Sequence, residues 1–479
     1  MPASFGRKGR IALLLACAAL LVGVGLGVVV AAQDEGGTAD ERPNVVFVMA
    51  DDMRPDEMEQ VANLKPGGGF DWVRDHGVQF NRIWSTNNLC CPGKTTALTG
   101  QTTYNHKVMI NQYHDIQNSL PLWLQRAGYC TGYTGKYLNG FNIDQPRPAG
   151  WTYWEPLLTF VDETGFRILE RDGTVASPDD VFITDHLADV SRRQLGDCLD
   201  DDRPAFISLW PFAPHFYSDP APQYAATQMP WRNDDPTFNE PDVSDKPGWL
   251  QRTAPAPKLG LVESMEGWHL IRVRPLLSVD DALEALIDDL DARDALDNTI
   301  IVLTSDNGYL LGEHRLENMK QVAYEAAQPG LWIAGPGFAS GAKSEAYAMN
   351  IDLAPTVLKA AGTVARGLVT DGRPLQQVLA EPDLGHDRFL PIYVPPAVVP
   401  NLNLDLPAGE GVRTWRYKYL KYTDGSEELY DLQRDPYEDE NVAADASYAS
   451  IKMDMITLLA KAKACAGDTC RVSAPTNLQ

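Results

Sequence analysis

Basic residues are scarce in this chain: 41 Lys and Arg stand against 65 Asp and Glu over 479 residues, a formal net charge of −24. A nucleic-acid binder draws most of its affinity from neutralising phosphates with Lys and Arg, so nucleic acid is excluded as the general partner. The same acidic surface repels small anions, and any anion site must concentrate positive charge locally. Histidine is also sparse, at eight. His76, His114, His186, His269 and His386 fall in no motif and read as structural. There is no internal repeat. With 44% hydrophobic and 22% charged residues, the composition is that of an ordinary globular chain, not a disordered or fibrous one. Cysteine is limited to seven, at 17, 90, 91, 130, 198, 465 and 470. Cys465 and Cys470 flank a short loop that a disulfide would close; Cys130 and Cys198 are a further candidate pair, but spacing alone does not fix connectivity. Cys90 and Cys91 are adjacent, which makes pairing both awkward and leaves a thiol for another task.

What the chain does have begins at its N-terminus. Arg7, Lys8 and Arg10 precede an unbroken apolar run, Ile11–Ala32, followed by Gln33, Asp34 and Glu35. A basic start, an apolar middle and small residues at Ala31-Ala32 read as a signal peptide. The run has 22 residues, long enough to serve instead as a membrane anchor. Leu14-Leu15-Ala16-Cys17 resembles a lipoprotein box, although the apolar run continues well past it. Residues 33–42 read as a polar linker. All of these readings place the remainder outside the cytoplasm, secreted or anchored to the outer face of the cytoplasmic membrane, where disulfides are permitted.

Several short, branched apolar runs end in residues that carry chemistry. Val45–Ala50 leads into Asp51-Asp52, Ala205–Trp210 into Pro214-His215, and Thr299–Thr304 into Asp306-Asn307; Gly330–Ala334 is a fourth run. These patterns predict buried parallel strands. Leu276, Val279, Leu283, Leu286 and Leu290 predict one apolar face of a helix, with Asp280, Asp281, Glu284, Asp288 and Asp289 on a solvated surface. Helices alternating with buried strands imply an α/β fold, whose ligands bind at the C-terminal strand ends. The stretch 211–268 reads as an irregular excursion at the substrate mouth. From 366 onward the pattern changes: 414–422 alternates like a strand, and Asp424-Gly425 signals a hairpin before 428–432. The expected division is a catalytic domain over 43–365 and a smaller C-terminal domain over 366–479.

Asp51, Asp52, Asp306 and Asn307 are hard oxygen donors. Carboxylates with an amide oxygen suit Ca2+ or Mg2+ better than zinc. Strand-end Asp and Asn also cap helices, so either pair alone is ambiguous. Both pairs at one sheet edge favour a metal, and a set of four protein oxygens leans to Ca2+, with Mg2+ as the alternative.

The run Cys90-Cys91-Pro92-Gly93-Lys94 through Leu98-Thr99-Gly100 resembles the signature of the type I, formylglycine-dependent sulfatases of the alkaline-phosphatase-like superfamily. The resemblance extends from Pro43 to about Asn441. It includes Pro43-Asn44 through Asp52, Gly135-Lys136, Ser305–Tyr309 with Leu311–His314, and Glu428–Leu432 with Asp435-Pro436 and Glu438. Asn105-His106, Lys136–Asn139 and Ala213-Pro214-His215 are most similar to the N-acetylglucosamine-6-sulfatase and heparan endosulfatase branch. The resemblance implies a large, mostly parallel mixed sheet sandwiched by helices, and a smaller C-terminal α+β domain with an antiparallel sheet. It also implies a formylglycine-generating enzyme as partner and a sulfated carbohydrate or other sulfate ester as substrate.

In the implied mechanism Cys90, as hydrated formylglycine, attacks sulfur and contributes to the metal site. Lys136 and Lys320 neutralise developing charge, with Lys94 as the basic residue of the signature, and His215 protonates the leaving alcohol. His106 and His314 are further candidates to line the pocket. Lys94 stands where the family has Arg, and Gly93 where Ser or Ala is usual; lysine keeps the charge but loses the planar fork of donors. Two other readings compete: a phosphodiesterase or phosphonate-ester hydrolase on the same fold, since phosphate and sulfate esters have similar shape, and a catalytically impaired, sulfatase-like glycan-binding protein, because Lys94 replaces the motif Arg.

Overall fold

The computed structural model describes residues 42–479 except 161–164, 179–180, 217, 230–234, 254–257, 382 and 400–402. The apolar run Ile11–Ala32 lies outside the described residues, and among them no helix is long and apolar enough to cross a membrane.

A ten-stranded sheet organises the chain. Its strands are β1 (Asn44–Ala50), β2 (Gly77–Phe80), β3 (Cys130–Lys136), β4 (Tyr153–Phe160), β5 (Phe166–Leu169), β6 (Val175–Ala176), β7 (Ala205–Trp210), β8 (Thr299–Ser305), β9 (Leu331–Ala334) and β10 (Ala342–Ser344). The spatial order is β10-β2-β9-β8-β1-β7-β3-β4-β5-β6. From β8 through β4 all neighbours are parallel. Strand β9 runs antiparallel to both β8 and β2, and β5 and β6 close the other side antiparallel. The sheet is therefore mixed, with a parallel centre.

Side chains alternate across a strand, and β1 shows the result. Val45, Phe47 and Met49 enter one core with Leu120, Trp123, Leu353 and Val357. Val46, Val48 and Ala50 enter the other with Met58, Val61, Leu187, Leu276 and Leu283. The second face is covered by α1 (Pro55–Leu64), α2 (Gly69–His76), α4 (Ile183–Asp200) and α5 (Lys258–Asp291); α3 (Cys90–Thr99) contributes Ala97 and Leu98 to the first. Burial on both faces explains why the central strands read as continuous apolar runs. A Cys130–Cys198 disulfide joins β3 to α4, and a Cys465–Cys470 disulfide closes the loop near the C-terminus.

Two local expectations change. Asp280 is not on a solvated surface: it is fully buried, accepts from the Phe70 amide at 2.6 Å near the start of α2, and pairs with Lys65. The α5 helix meets another helix N-terminus there, so the apolar stripe needs one acceptor within it. The alternating run 414–422 is not one strand. Strand β12 (Gly409–Thr414) ends where the run starts, Trp415-Arg416 turn, and β13 (Tyr417–Tyr422) follows. With β11 (Phe389–Val394) and β14 (Glu427–Asp431) they form an antiparallel sheet in the order β11-β12-β13-β14. Beyond residue 365 the chain still feeds the first core, through Leu375 and Val378.

Candidate active site

Four adjacent parallel strands aim at one place. In sheet order, β8 ends at Asp306-Asn307, β1 at Asp51-Asp52, β7 at the turn reaching His215, and β3 at Lys136. Asp52 adopts a left-handed backbone, φ 73°, which is uncommon for a residue with a side chain. It is held there from both ends: its amide donates to Asp306 Oδ1 at 3.1 Å, and its carbonyl accepts from Arg272 Nη2 at 2.6 Å. Gly135, within β3, has φ 113°, a backbone that favours glycine. A Cβ there would meet the Trp210 carbonyl at 1.9 Å, so glycine is required just before Lys136.

Cys90 is the first residue of α3, after the N-cap Leu89, and the whole helix is buried. Its Sγ lies 3.4 Å from Asp51 Oδ1, 3.1 Å from Lys320 Nζ, and 3.8 Å from both Lys136 Nζ and Asn111 Nδ2. Burial, aided by Asp51, pushes the thiol up to about 12 despite the lysines. At neutral pH it is a protonated thiol and a weak nucleophile. Cys91 occupies a separate pocket, where its sulfur accepts from the Asn139 amide at 3.0 Å.

Two buried ammonium groups, Lys94 and Lys320, and a partly buried one, Lys136, face three buried carboxylates. Lys94 Nζ donates to Asp51 Oδ2 at 2.5 Å and Asp306 Oδ2 at 2.8 Å. Lys136 Nζ lies 2.8 Å from Asp51 Oδ2, and Lys320 pairs with Asp52. Burial alone would raise the Asp51 pKa, but Lys136 and Lys94, with His215 and Lys320, hold it well below the usual carboxylate range. Burial likewise opposes charge on Lys94 and Lys320, and the carboxylates hold both well above the usual lysine value. Asp306 is raised, by burial and by repulsion from Asp51. His215 Nε2 stands 3.8 Å from Asp52 Oδ2, while Nδ1 faces the Phe216 carbonyl at 3.1 Å, which fixes that nitrogen as the donor. Burial and then Lys136 push the imidazole down to about 4.

The donor set fits a hard cation. Oxygens of Asp51, Asp52 and Asp306 lie within 4.8 Å of one another. Asn307 donates through Nδ2 to Asp52 Oδ1 at 2.7 Å and to the Gly308 carbonyl at 2.8 Å. Its Oδ1 is buried with no donor among the described residues. A buried acceptor left unsatisfied beside carboxylates is what a divalent cation would complete. The grouping of Asp280, Asp281 and Glu284 differs, because Lys65 already serves as its counter-ion.

The structure thus brings Cys90, Lys94, Lys136, His215, Lys320, Asp51, Asp52, Asp306 and Asn307 together. His106 is not among them. Its Nε2 is 3.0 Å from Thr96 Oγ1, its Nδ1 accepts from the Val108 amide at 3.0 Å, and burial pushes it down to about 3. It braces α3 from behind instead of facing the reactive sulfur. His314 is also buried, bonded to Glu240 at 2.7 Å and stacked on Tyr324 at 4.0 Å. Sequence reasoning missed Arg272, Glu57 and Asn111. Arg272 pairs with Glu57 at 2.7 Å and fixes the turn at Asp52. It falls four residues before Leu276 on the apolar stripe of α5, an out-of-place charge that could have been noticed. Asn111, which receives the Cys91 amide at 2.9 Å, carries no such signal.

Comparison with known proteins follows the same lines. Residues 43–363 match the family described as Sulfatase, and residues 312–464 match "N-sulphoglucosamine sulphohydrolase, C-terminal". The N-acetylglucosamine-6-sulfatase of Capra hircus is 29% identical over 481 residues, covering 90% of this chain and 85% of the relative. An extracellular sulfatase SULF-1 homolog of Drosophila melanogaster is 29% identical over 378 residues, 72% of this chain and 32% of its own. Among solved structures, one described as being in complex with its substrate D-glucosamine-2-N,6-O-disulfate superposes with a TM-score of 0.74 at 22% identity, covering 88% of this chain and 98% of the other. A phosphonate monoester hydrolase of Agrobacterium radiobacter gives 0.67 at 22% identity, covering 88% and 96%.

Gly93 has a specific steric reason. A Cβ there would sit 2.1 Å from the Asp306 carbonyl oxygen, so α3 rests directly on the backbone of the second acidic turn. Gly93→Ala is expected to destabilise the protein by about 1–3 kcal/mol, as overpacking does. Urea denaturation monitored by fluorescence measures this, and an unchanged midpoint would contradict the close approach.

Proposed function

The chain belongs to the sulfatase family of sulfuric ester hydrolases, and from that premise we propose that it removes sulfate from a sulfated carbohydrate, using Cys90 as formylglycine and one divalent cation, Ca2+, at Asp51, Asp52, Asp306 and Asn307. The observation that carries this reading is a cluster of three carboxylates and three lysines in a strongly acidic protein, three of which, Asp51, Lys136 and Lys320, reach one buried sulfur. The Cys90 sulfur stands in for the hydroxyl of the hydrated aldehyde. That hydrate supplies a hydroxyl nucleophile and, by reverting to the aldehyde, a route for releasing sulfate. A cation held by these four side chains would supply Lewis-acid polarisation to the sulfuryl group and favour the ionised form of the hydroxyl.

The chain's own residues do the rest. Lys136 and Lys320, at 3.8 and 3.1 Å from the sulfur, stabilise negative charge that develops on the sulfuryl oxygens. Lys94 lies on Asp51 and Asp306 and keeps both carboxylates facing inward. With Nδ1 committed to the Phe216 carbonyl, His215 presents Nε2 to the centre. An arriving anionic ester draws that imidazole toward its protonated form, from which it donates to the leaving alcohol. Because Cys90 is wholly buried, a formylglycine-generating enzyme would have to act before α3 packs. The N-terminal apolar run and the two disulfides support export.

The carbohydrate reading draws on the names of relatives and on a cleft beside His215. Phe216 and Trp268 line it with rings 5.3 Å apart and inclined at 30°, together with Ile271 and Tyr309. Aromatic faces of this kind pack against sugar rings.

Three measurements test the proposal. The peptide carrying Cys90, taken from the native host, is expected to have the mass of formylglycine; an unmodified thiol would sink the mechanism. Calcium is expected to raise Tm in proportion to ln(1 + [Ca2+]/Kd), and Asn307→Ala should shrink that rise; an equal rise in both proteins would remove Asn307 from the cation site. Trp268→Ala should raise KM for glucosamine-6-sulfate by about fivefold, corresponding to roughly 1 kcal/mol of ring contact; an unchanged KM would place the sugar elsewhere. A strong preference for an aryl phosphodiester over an aryl sulfate would favour the phosphonate-ester hydrolase reading instead.

A further inference from the structure

The segment Lys320–Gln328 links the reactive centre to the C-terminal antiparallel sheet. At its start, Lys320 touches Cys90 Sγ and Asp52. The residues that follow are tied down almost one by one. The Val322 carbonyl accepts from Asn88 Nδ2 at 2.9 Å, and the Ala323 carbonyl accepts from Lys418 Nζ at 2.6 Å. The Tyr324 hydroxyl donates to Glu428 Oε1 at 2.7 Å. The Glu325 amide donates to Glu438 Oε2 at 2.7 Å, and its carboxylate accepts from Arg413 at 3.1 and 3.2 Å. Gln328 Oε1 accepts from the Ser85 amide at 3.0 Å.

The donors and acceptors on the sheet side are costly ones. Glu428, Lys418 and Glu438 are fully buried. Glu428 is satisfied by phenols: Tyr324, Tyr430 at 2.7 Å and Tyr422 at 2.5 Å. Lys418 pairs with Glu438 and lies over the rings of Tyr324 and Tyr430 at 5.3 and 5.5 Å. Apolar residues of similar volume would hold two packed layers together at least as well as such buried charges. What charges add is direction: each fixes one polar atom of the segment at one place.

We propose that Glu428 and Lys418 are positioning residues for Lys320, setting its backbone through Tyr324 and the Ala323 carbonyl. The proposal rests on the role of Lys320 given above. Lysine is a long, flexible side chain, and its contribution to a transition state depends on where its Cα is anchored. A loosened anchor weakens charge stabilisation without removing substrate contacts, so the loss falls on kcat and not on KM.

The test compares Tyr324→Phe with Tyr419→Phe. Tyr419 neighbours Lys418 on β13, and its hydroxyl donates to Glu427 at 2.6 Å, away from the segment. Both substitutions remove one tyrosine–glutamate hydrogen bond. With an aryl sulfate, Tyr324→Phe is expected to lower kcat by about tenfold with KM little changed, while Tyr419→Phe leaves kcat intact at a similar loss of Tm. In a Lys320→Ala background, the further effect of Tyr324→Phe should vanish. If Lys320→Ala is impaired but Tyr324→Phe still costs its full factor there, or if kcat merely tracks Tm in both tyrosine variants, the positioning role is overturned and the sulfatase reading stands. If Lys320→Ala is as active as the unaltered protein, the role given to Lys320 falls, and this proposal with it.

Discussion

The arrangement depends on like charges being forced together where water cannot separate them. Asp51, Asp52 and Asp306 have no solvent to spread their charge, and three lysines are drawn in from separate parts of the chain to offset it. None of these groups is stable alone at that depth, since an unpaired buried charge costs several kcal/mol. Each is tolerable only when the others are present. This mutual dependence explains why so much surrounding structure is devoted to backbone geometry: the left-handed turn at Asp52, the Arg272 clamp on its carbonyl, and Gly93 and Gly135 at points of close approach.

A strongly acidic protein that hydrolyses an anionic ester has to solve an electrostatic problem, and it does so by placement. The positive groups gather beyond the C-terminal edge of the parallel strands and around the start of α3, whose positive dipole end adds to their attraction for an anion although it does not stabilise the lysines themselves. Asn307, with an amide oxygen lacking a donor, marks where further positive charge belongs.

Much of this was legible in the sequence because its signals are local. Buried parallel strands write themselves as unbroken apolar runs, and the residues just after Ala50, Trp210 and Ser305 are the ones that meet. Lys136 and Lys320 carry no local signal and were found only through resemblance. Where a residue's role depends on what crosses it in space, the pattern misleads. Asp280 looks like a surface carboxylate on a helix period, yet another helix starts against it. His106 sits in a motif-like setting, yet its side chain turns behind α3. The run 414–422 alternates across a turn, because a tight hairpin preserves the period of two on both sides. Arg272 shows only as a charge out of place on an apolar stripe, with nothing to name its partner, and Asn111 acts on the site with no signal in spacing at all.

The packing around the segment 320–328 also bears on what counts as a part of this protein. By sequence pattern, a boundary falls near residue 366, and the stretch before it holds every carboxylate and lysine of the centre. Contacts nevertheless cross it. Leu375 and Val378 belong to the first core, and the strand residues Arg413, Lys418 and Glu428 grip a segment that belongs to the centre. A shuffled or grafted version of the first part, carrying every reactive group, would inherit the ingredients of the chemistry without the frame that gives one of them its address.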